Sequence, residues 1–300
     1  MFKVLKYAKE KWYIIIVIIL LLFVQVYCEL TLPDYTSDIV DVGIQNQGIE
    51  YPIPEKITEE SHDILLIFMD EDVKDLIDSF YSKENGIYKL DISKLTDKEL
   101  DDLKTAMLLP EMMTLMMTSD SEEALDMQKG LSEKMGIPVE GSDLLTVFRN
   151  LPKEQLNIIL SVMKEQMKGY PDYMLEAAGV SFVKSEYEKI GTDMNKYQMD
   201  YLKNMAVKML LIAVLAMAVS IVVGFMSSRL AAFIAKDVRS KVFYKVMSFS
   251  NAEMDRFSTS SLITRCTNDI QQVQMVMTII FRMVVFAPIM AGGAVLKVIN

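Results

Sequence analysis

The stretch that most limits what this chain can become is Trp12 to Cys28, WYIIIVIILLLFVQVYC, which carries no charge between Lys11 and Glu29. A helix needs roughly 20 mainly apolar residues to cross the hydrocarbon of a bilayer, and residues 12–29 read as a first span. Two further runs read the same way. Met205 to Met226, MAVKMLLIAVLAMAVSIVVGFM, carries Lys208 near its start, where the side chain can snorkel to the interface. Met275 to Leu296, MVMTIIFRMVVFAPIMAGGAVL, is the third. A mean hydropathy of +0.23 with 51% apolar residues exceeds what an ordinary soluble domain needs. Spans are expected at 12–29, 204–228 and 275–297.

Lys3, Lys6, Lys9 and Lys11 could form the basic start of a cleaved signal peptide, but the apolar run is long for one and no small-x-small cleavage site follows. Bulky Tyr27 before Cys28 rules out a lipoprotein signal. The first run therefore reads as an uncleaved anchor. The third ends close to Asn300, so the sequence reads as the front portion of something longer.

Charge sets the orientation. Residues 1–11 carry four lysines against one glutamate, and Arg229 to Gln272 carries seven Lys/Arg against four acids, whereas Leu30 to Lys203 holds 17 basic and 35 acidic side chains. The positive-inside rule counts Lys and Arg in short flanking segments. It places residues 1–11 and 229–274 in the cytoplasm and residues 30–203 outside a cell membrane crossed several times. An acidic outer region stays soluble and lacks the basic footprint of a nucleic-acid binder. Cys28 and Cys266 fall on opposite sides of the membrane in this topology and cannot pair.

The outer region is long enough for a core of its own. Pro33, Gly43, Gly48, Pro52 and Pro54 make its first part loop-like after a short helical continuation. Beyond it Thr58 reads as a helix N-cap, Thr96 with Glu99 as a capping box, and Pro152 as a first-turn proline. Gly86 to Leu90 could form an extended piece that pairs, within a mainly helical domain. Met112, Met113, Met116 and Met117 make an adaptable apolar face rather than a copper site. Asp70 to Asp75, DEDVKD, lacks the glycine and final glutamate of a calcium loop. His62 is the single histidine, with no second ligand for zinc or a triad. No metal site is expected.

After the second span, an apolar stripe at Leu230, Phe233, Ile234, Val238, Val242, Phe243 and Val246 keeps helical spacing. SNAEMDRFSTSS then breaks the pattern, and LITRCTNDIQQVQ restarts a polar helix that feeds the third span. Residues 229–274 form a helical hairpin with a tip near 251–260.

DRFSTSSLITRCTNDIQQVQ resembles the first intracellular loop of ABC exporters, FRMVVFAPIMAGGAV resembles the third helix of their bacterial multidrug-type members, and ELTLPDYTSDIVDVGIQNQGI resembles the outer end of their first helix. Together these cover about 120 residues at the two ends. The long region between the first two spans departs from the common pattern, although some members of heterodimeric exporters carry such an insertion. The resemblance implies an all-α membrane protein: three transmembrane helices of an exporter-type domain plus a mainly helical extracellular domain. It makes Asn251, Ala252, Glu253, Met254, Asp255, Arg256 and Phe257 a coupling helix that docks onto an ATP-binding domain. Arg265, Asn268 and Asp269 would begin the return helix, where Arg265 and Asp269 at i, i+4 could support one another. Arg282 lies near the cytoplasmic start of the third span, at headgroup depth, and Pro288 with Gly292 and Gly293 permits a kink or close packing.

The chain has no GxxxxGK[ST] loop. ATP and magnesium, implied for the complete transporter, would be held by an ATP-binding domain outside this chain or in a partner. The implied partners are that domain, a second transporter subunit (homo- or heterodimer) and membrane lipid, with no nucleic acid. The implied function is ATP-driven export of multidrug or lipid-like substrates; the position of the outer domain between the first two spans, not the resemblance, leads to the expectation that it gates release. The rival readings are a membrane-anchored sensor with an extracellular ligand-binding domain and a structural adhesion factor.

Overall fold

A computed structural model describes residues 11–119, 121–135, 143–167, 169, 171–254 and 257–299. It divides the chain into two units, one of residues 1–37 with 204–300 and the other of residues 38–203.

Three long helical runs, Trp12–Gln45, Met194–Met247 and Thr259–Ile299, are long and apolar enough to cross a membrane. Helix α1 covers Trp12–Asp38 and passes through Pro33 before a π-helical segment, Ile39–Gln45. It thus continues well past residue 29, through Pro33 and Gly43, and the expected loop follows only at residues 46–55, where Gly48, Pro52 and Pro54 lie. Three N-cap or turn-forming residues, Thr36, Ser37 and Asp38, lie beyond the proline without stopping the helix, and Thr31 and Thr36 turn their hydroxyls back onto the carbonyls of Tyr27 and Leu32.

The membrane unit packs along one seam. Ile18 and Leu22 of α1 meet Val219, Val223, Leu230, Ala231 and Ile234 of the second run and Met277 and Phe281 of the third. Their spacings of three, four and seven residues keep each set on one helix face. The opposite faces present Leu210, Leu211, Ile221 and Phe225 to the surroundings, as suits helices solvated by lipid.

Unit 38–203 contains a small antiparallel sheet, β1 Lys56–Thr58, β2 Tyr81–Glu84 and β3 Ile87–Leu90, in the order β1-β3-β2. Asn85 and Gly86, both with positive φ, make the two-residue turn between β2 and β3. The register sets Tyr81 opposite Leu90 and Ile57 opposite Tyr88. Around the sheet lie α2 Glu59–Ile67, α3 Glu71–Phe80, α4 Asp97–Thr118, α5 Glu122–Met135, α6 Asp143–Asn150, α7 Lys153–Met167 and α8 Asp172–Lys189. Thr58 accepts from the Ser61 N–H, and Thr96 and Glu99 form both halves of the capping box. Both N-terminal signals are thus realised.

A hydrogen-bonded knot joins the first strand to the last helix of this unit. The Glu186 carboxylate, fully buried, accepts from the Thr58 N–H at 3.0 Å, the Thr58 hydroxyl at 2.8 Å, the Ser61 hydroxyl at 2.6 Å and Lys189 Nζ at 2.8 Å. With four donors the charge is compensated where water is absent. His62, 2% exposed, stacks on Tyr88 with ring centroids 3.6 Å apart. Met113 is buried, and Met112, Met116 and Met117 pack around the Phe68–Phe148 pair, so the methionine cluster is part of the core.

Glu111 on α4 is also fully buried, yet neither carboxylate oxygen has a hydrogen-bond partner among the described residues. It lies under α8 where that helix passes closest: a Cβ added at Gly179 would sit 3.0 Å from Glu111 Oε2 and 2.8 Å from Pro52 Cβ. Burial pushes its pKa well above the ordinary 4.5. The native state therefore keeps a proton that the unfolded chain releases, so Glu111's contribution to stability is complete below about pH 4.5 and is lost as pH rises towards the folded-state pKa. Glu111→Gln is expected to flatten the pH dependence of thermal unfolding of this unit above pH 4.5 and to raise its stability at neutral pH. Parallel profiles for the variant and the parent would contradict the neutral carboxyl.

Candidate functional site

The hairpin between the second and third spans is built around one continuous helix and one interrupted one. Helix α9, Met194–Met247, has 54 residues, roughly 80 Å at 1.5 Å per residue. Only about 30 Å of this can lie in hydrocarbon, and the 21 residues from Met226 to Met247 project some 30 Å beyond the apolar run. An apolar stripe on a projecting helix needs cover, which the returning chain supplies in part: Leu262 and Ile270 are buried.

At the tip the chain turns through Ser248, whose N–H donates to the Tyr244 and Lys245 carbonyls at 3.1 and 3.2 Å. The short helix α10, Asn251–Met254, is fixed by a second capping box. The Ser250 N–H donates to Glu253 Oε2 at 2.9 Å, and the Glu253 N–H donates to Ser250 Oγ at 3.4 Å. These bonds to the Ser250 backbone and side chain hold the Glu253 carboxyl below its ordinary range. Helix α11, Thr259–Thr264, starts from the same chemistry, with Ser258 Oγ accepting from the Ser261 N–H at 3.3 Å.

Two aromatic rings close the tip. Phe249 and Phe257 stack with centroids 5.7 Å apart and an interplanar angle of 13°. Lys245 Nζ stands 5.9 Å from the Phe249 centroid, and the Arg265 guanidinium 5.7 Å from that of Phe257, within the reach of cation–π attraction. A cleft of about 270 Å³ opens beside them, bordered by Lys241, Lys245, Phe249, Phe257, Arg265 and Cys266. The tip offers flat apolar surface ringed by positive charge.

Of the expected coupling residues, Asn251, Ala252, Glu253 and Met254 make α10 and Phe257 joins the stack; Asp255 and Arg256 lie outside the described residues. Arg265, Asn268 and Asp269 fall in a π-helical turn, Arg265–Asp269, before α12, Ile270–Ile279. Among the described residues no ion pair joins Arg265 to Asp269. The wider π-helical winding takes i and i+4 out of line, and the guanidinium lies over Phe257 instead. Arg282 sits in another π-helical turn, Ile280–Val284, with its side chain exposed, and Pro288 lies inside α13, Val285–Ile299.

At the far end of the spans the close packing that Gly293 permits is realised, beside an ion pair that no sequence pattern announced. A Cβ added at Gly293 would come within 2.9 Å of Leu30 Cδ1 and 3.2 Å of Val26 Cγ1, so the glycine lets α13 approach α1 closely. Just beyond, Lys297 Nζ pairs with the Asp34 carboxylate and donates to the Leu30 carbonyl. By contrast, the Ser250-x-x-Glu253 cap was readable as a capping-box signature.

Residues 174–299 match the family model described as ABC transporter transmembrane region. An uncharacterized ABC transporter ATP-binding protein of Bacillus subtilis is 38% identical over 87 residues, which are 29% of this chain and 15% of the relative. Uncharacterized ABC transporter ATP-binding proteins of Mycobacterium bovis and Mycobacterium tuberculosis are each 34% identical over 76 residues, 25% of this chain and 13% of those relatives. The chain thus spans about 15% of the length of the curated relatives it matches. No solved structure matches.

The Lys297–Asp34 pair is 37% and 51% exposed, so its coupling energy is expected to be no more than about 1 kcal/mol. A double-mutant cycle with Asp34→Asn and Lys297→Gln, read by denaturant unfolding, is expected to give a small favourable coupling that shrinks in high salt. A coupling of zero at low salt would contradict the pairing.

Proposed function

We propose that this chain forms the first three transmembrane helices of an ATP-driven ABC exporter and that its hairpin tip passes movement between an ATP-binding domain and the membrane helices. The observation that carries the reading is that the matched segment, residues 174–299, contains the hairpin tip with its capped helix Asn251–Met254 and stacked Phe249 and Phe257. A coupling element must not deform when pushed. The reciprocal Ser250–Glu253 cap and the Phe249–Phe257 stack supply that stiffness within a few residues, and α9 continues it as an unbroken helix towards the bilayer.

The topology that goes with this reading places the tip in the cytoplasm and unit 38–203 outside the cell. The excess of Lys and Arg in the hairpin and of acids in residues 30–203 supports it. No residue here provides a phosphate-binding loop, so ATP and magnesium are assigned to an ATP-binding domain beyond these residues, and the substrate cavity to a dimer, a heterodimer in our reading. The chain's own part is mechanical: it holds the tip's shape, joins it to the spans and lines part of the path. Multidrug or lipid-like compounds are the substrate class proposed, and the acidic unit 38–203, inserted between the first two spans, is proposed to gate their release.

Phe257→Ala combined with Glu253→Lys in the complete transporter is expected to lower substrate-stimulated ATP hydrolysis about tenfold or more, equivalent to roughly 1.4 kcal/mol of lost coupling, while ATP binding is retained. Unchanged stimulation in reconstituted vesicles would sink the coupling role. Replacing Glu55 to Glu188 by a short linker is expected to change the export rate while leaving basal ATP hydrolysis in place. Equal export by both forms would remove the gate from the account.

A further inference from the structure

The three apolar runs, Trp12–Cys28, Met205–Met226 and Met275–Leu296, contain no Asp or Glu, and only two cations, Lys208 and Arg282. Lys208 stands three residues from the start of its run. Arg282 stands seven residues into its own, about 10 Å of helix from Met275. Among the described residues no hydrogen bond or ion pair reaches its guanidinium. An arginine placed this far into a span carries its charge back to the headgroup layer or finds an anionic partner.

The surroundings say what kind of group that partner could be. Arg282 follows Phe281, which is buried in the helix seam, and is itself exposed. Its neighbours Ile279, Met283 and Val284 are apolar and exposed, as are Ile221 and Phe225 on α9. Between these two apolar surfaces lies Gly224. Leaving its own helix aside, the single atom within 4 Å of a Cβ placed there is Arg282 Nη1, at 3.9 Å. The guanidinium therefore rests at an open notch between two helices, with apolar surface on both sides. Side chains on a helix tilt towards its N-terminus, so Arg282 leans towards the hairpin end of the span, where a long side chain can bring its charge to the headgroup layer.

We infer that Arg282, at the Gly224 notch, is a binding site for the phosphate of an anionic amphiphile whose acyl chain lies along Ile279, Met283 and Phe225. A guanidinium matches a phosphate with two parallel hydrogen bonds, and the exposed apolar strip suits a hydrocarbon tail where a protein carboxylate would leave it bare. The site rests on the proposed reading of this chain as the membrane part of a transporter, which puts the hairpin end of the span at the inner leaflet. Its amphiphile is either a resident lipid or a transported compound, and the two share the same chemistry.

The complete transporter is reconstituted in nanodiscs of phosphatidylcholine with and without phosphatidylglycerol, and retained lipid is counted by native mass spectrometry without nucleotide. The parent is expected to retain at least fivefold more phosphatidylglycerol than Arg282→Gln, with Arg282→Lys in between. Dodecyl phosphate is then added. Displacement of the lipid together with stimulated ATP hydrolysis in the parent, but not in Arg282→Gln, assigns the site to cargo; retention without displacement assigns it to lipid. Equal phosphatidylglycerol retention and equal dodecyl phosphate binding by parent and Arg282→Gln would overturn the site. Should Arg282→Gln fail to assemble, Gly224→Leu fills the notch with the cation left in place and is held to the same comparison. Because retention is read without ATP, its loss leaves the transport reading standing, and a failure of ATP coupling leaves the site intact.

Discussion

Inside a bilayer a peptide group has no water to bond to, and this constraint organises the membrane part of the molecule. Each of the three apolar runs must satisfy its backbone within itself, which makes it a helix. Once a helix is in lipid its hydrophobic surface costs nothing there, so the helices associate through shape and small residues rather than through apolar burial. The seam from Ile18 to Phe281 and the close approach at Gly293 follow from that. So does the long projection of α9, since a helix that cannot bend easily in the membrane delivers its far end at a fixed distance from it.

Unit 38–203 answers to a different solvent. Its apolar residues gather into clusters around Ile57 and Phe182, around Phe68 and Phe148, and around Val183 and Tyr187. Its two buried carboxyls illustrate two ways of surviving without water. Glu186 takes four hydrogen bonds from Thr58, Ser61 and Lys189, and thereby ties residues more than 120 apart in sequence. Glu111 has no such donors among the described residues, and burial pushes its pKa well above the ordinary carboxyl value.

Much of this was legible in the sequence where the determining interactions are local. The three apolar runs, the caps at Thr58 and Thr96 and the pairing segment near Gly86 all depend on residues within a few positions of one another. Pro33 and Gly43 do not end the first helical run, because a proline inside a helix that has already formed is tolerated where its neighbours reconnect the backbone, whereas Gly48, Pro52 and Pro54 lie in the irregular segment that such residues predict. Beyond Thr58 the chain makes two helices, interrupted at Phe68–Asp70 and followed by β2, since Tyr81 is drawn into the core, where its hydroxyl reaches the Pro54 carbonyl. The Arg265–Asp269 spacing failed for want of knowledge that the turn would be π-helical. The stacked Phe249 and Phe257, the Lys297–Asp34 contact and the Gly224 notch are long-range or interhelical, and no single-sequence periodicity encodes them.

The central claim is that the tip around Glu253 and Phe257 meets an ATP-binding domain. A photo-crosslinking residue at Phe257 in the complete transporter, irradiated in native membranes with and without ATP, tests it directly. A crosslink to an ATP-binding domain whose yield changes with nucleotide is expected. Crosslinks confined to lipid, or reaction of the tip with an impermeant reagent applied from outside the cell, would contradict it.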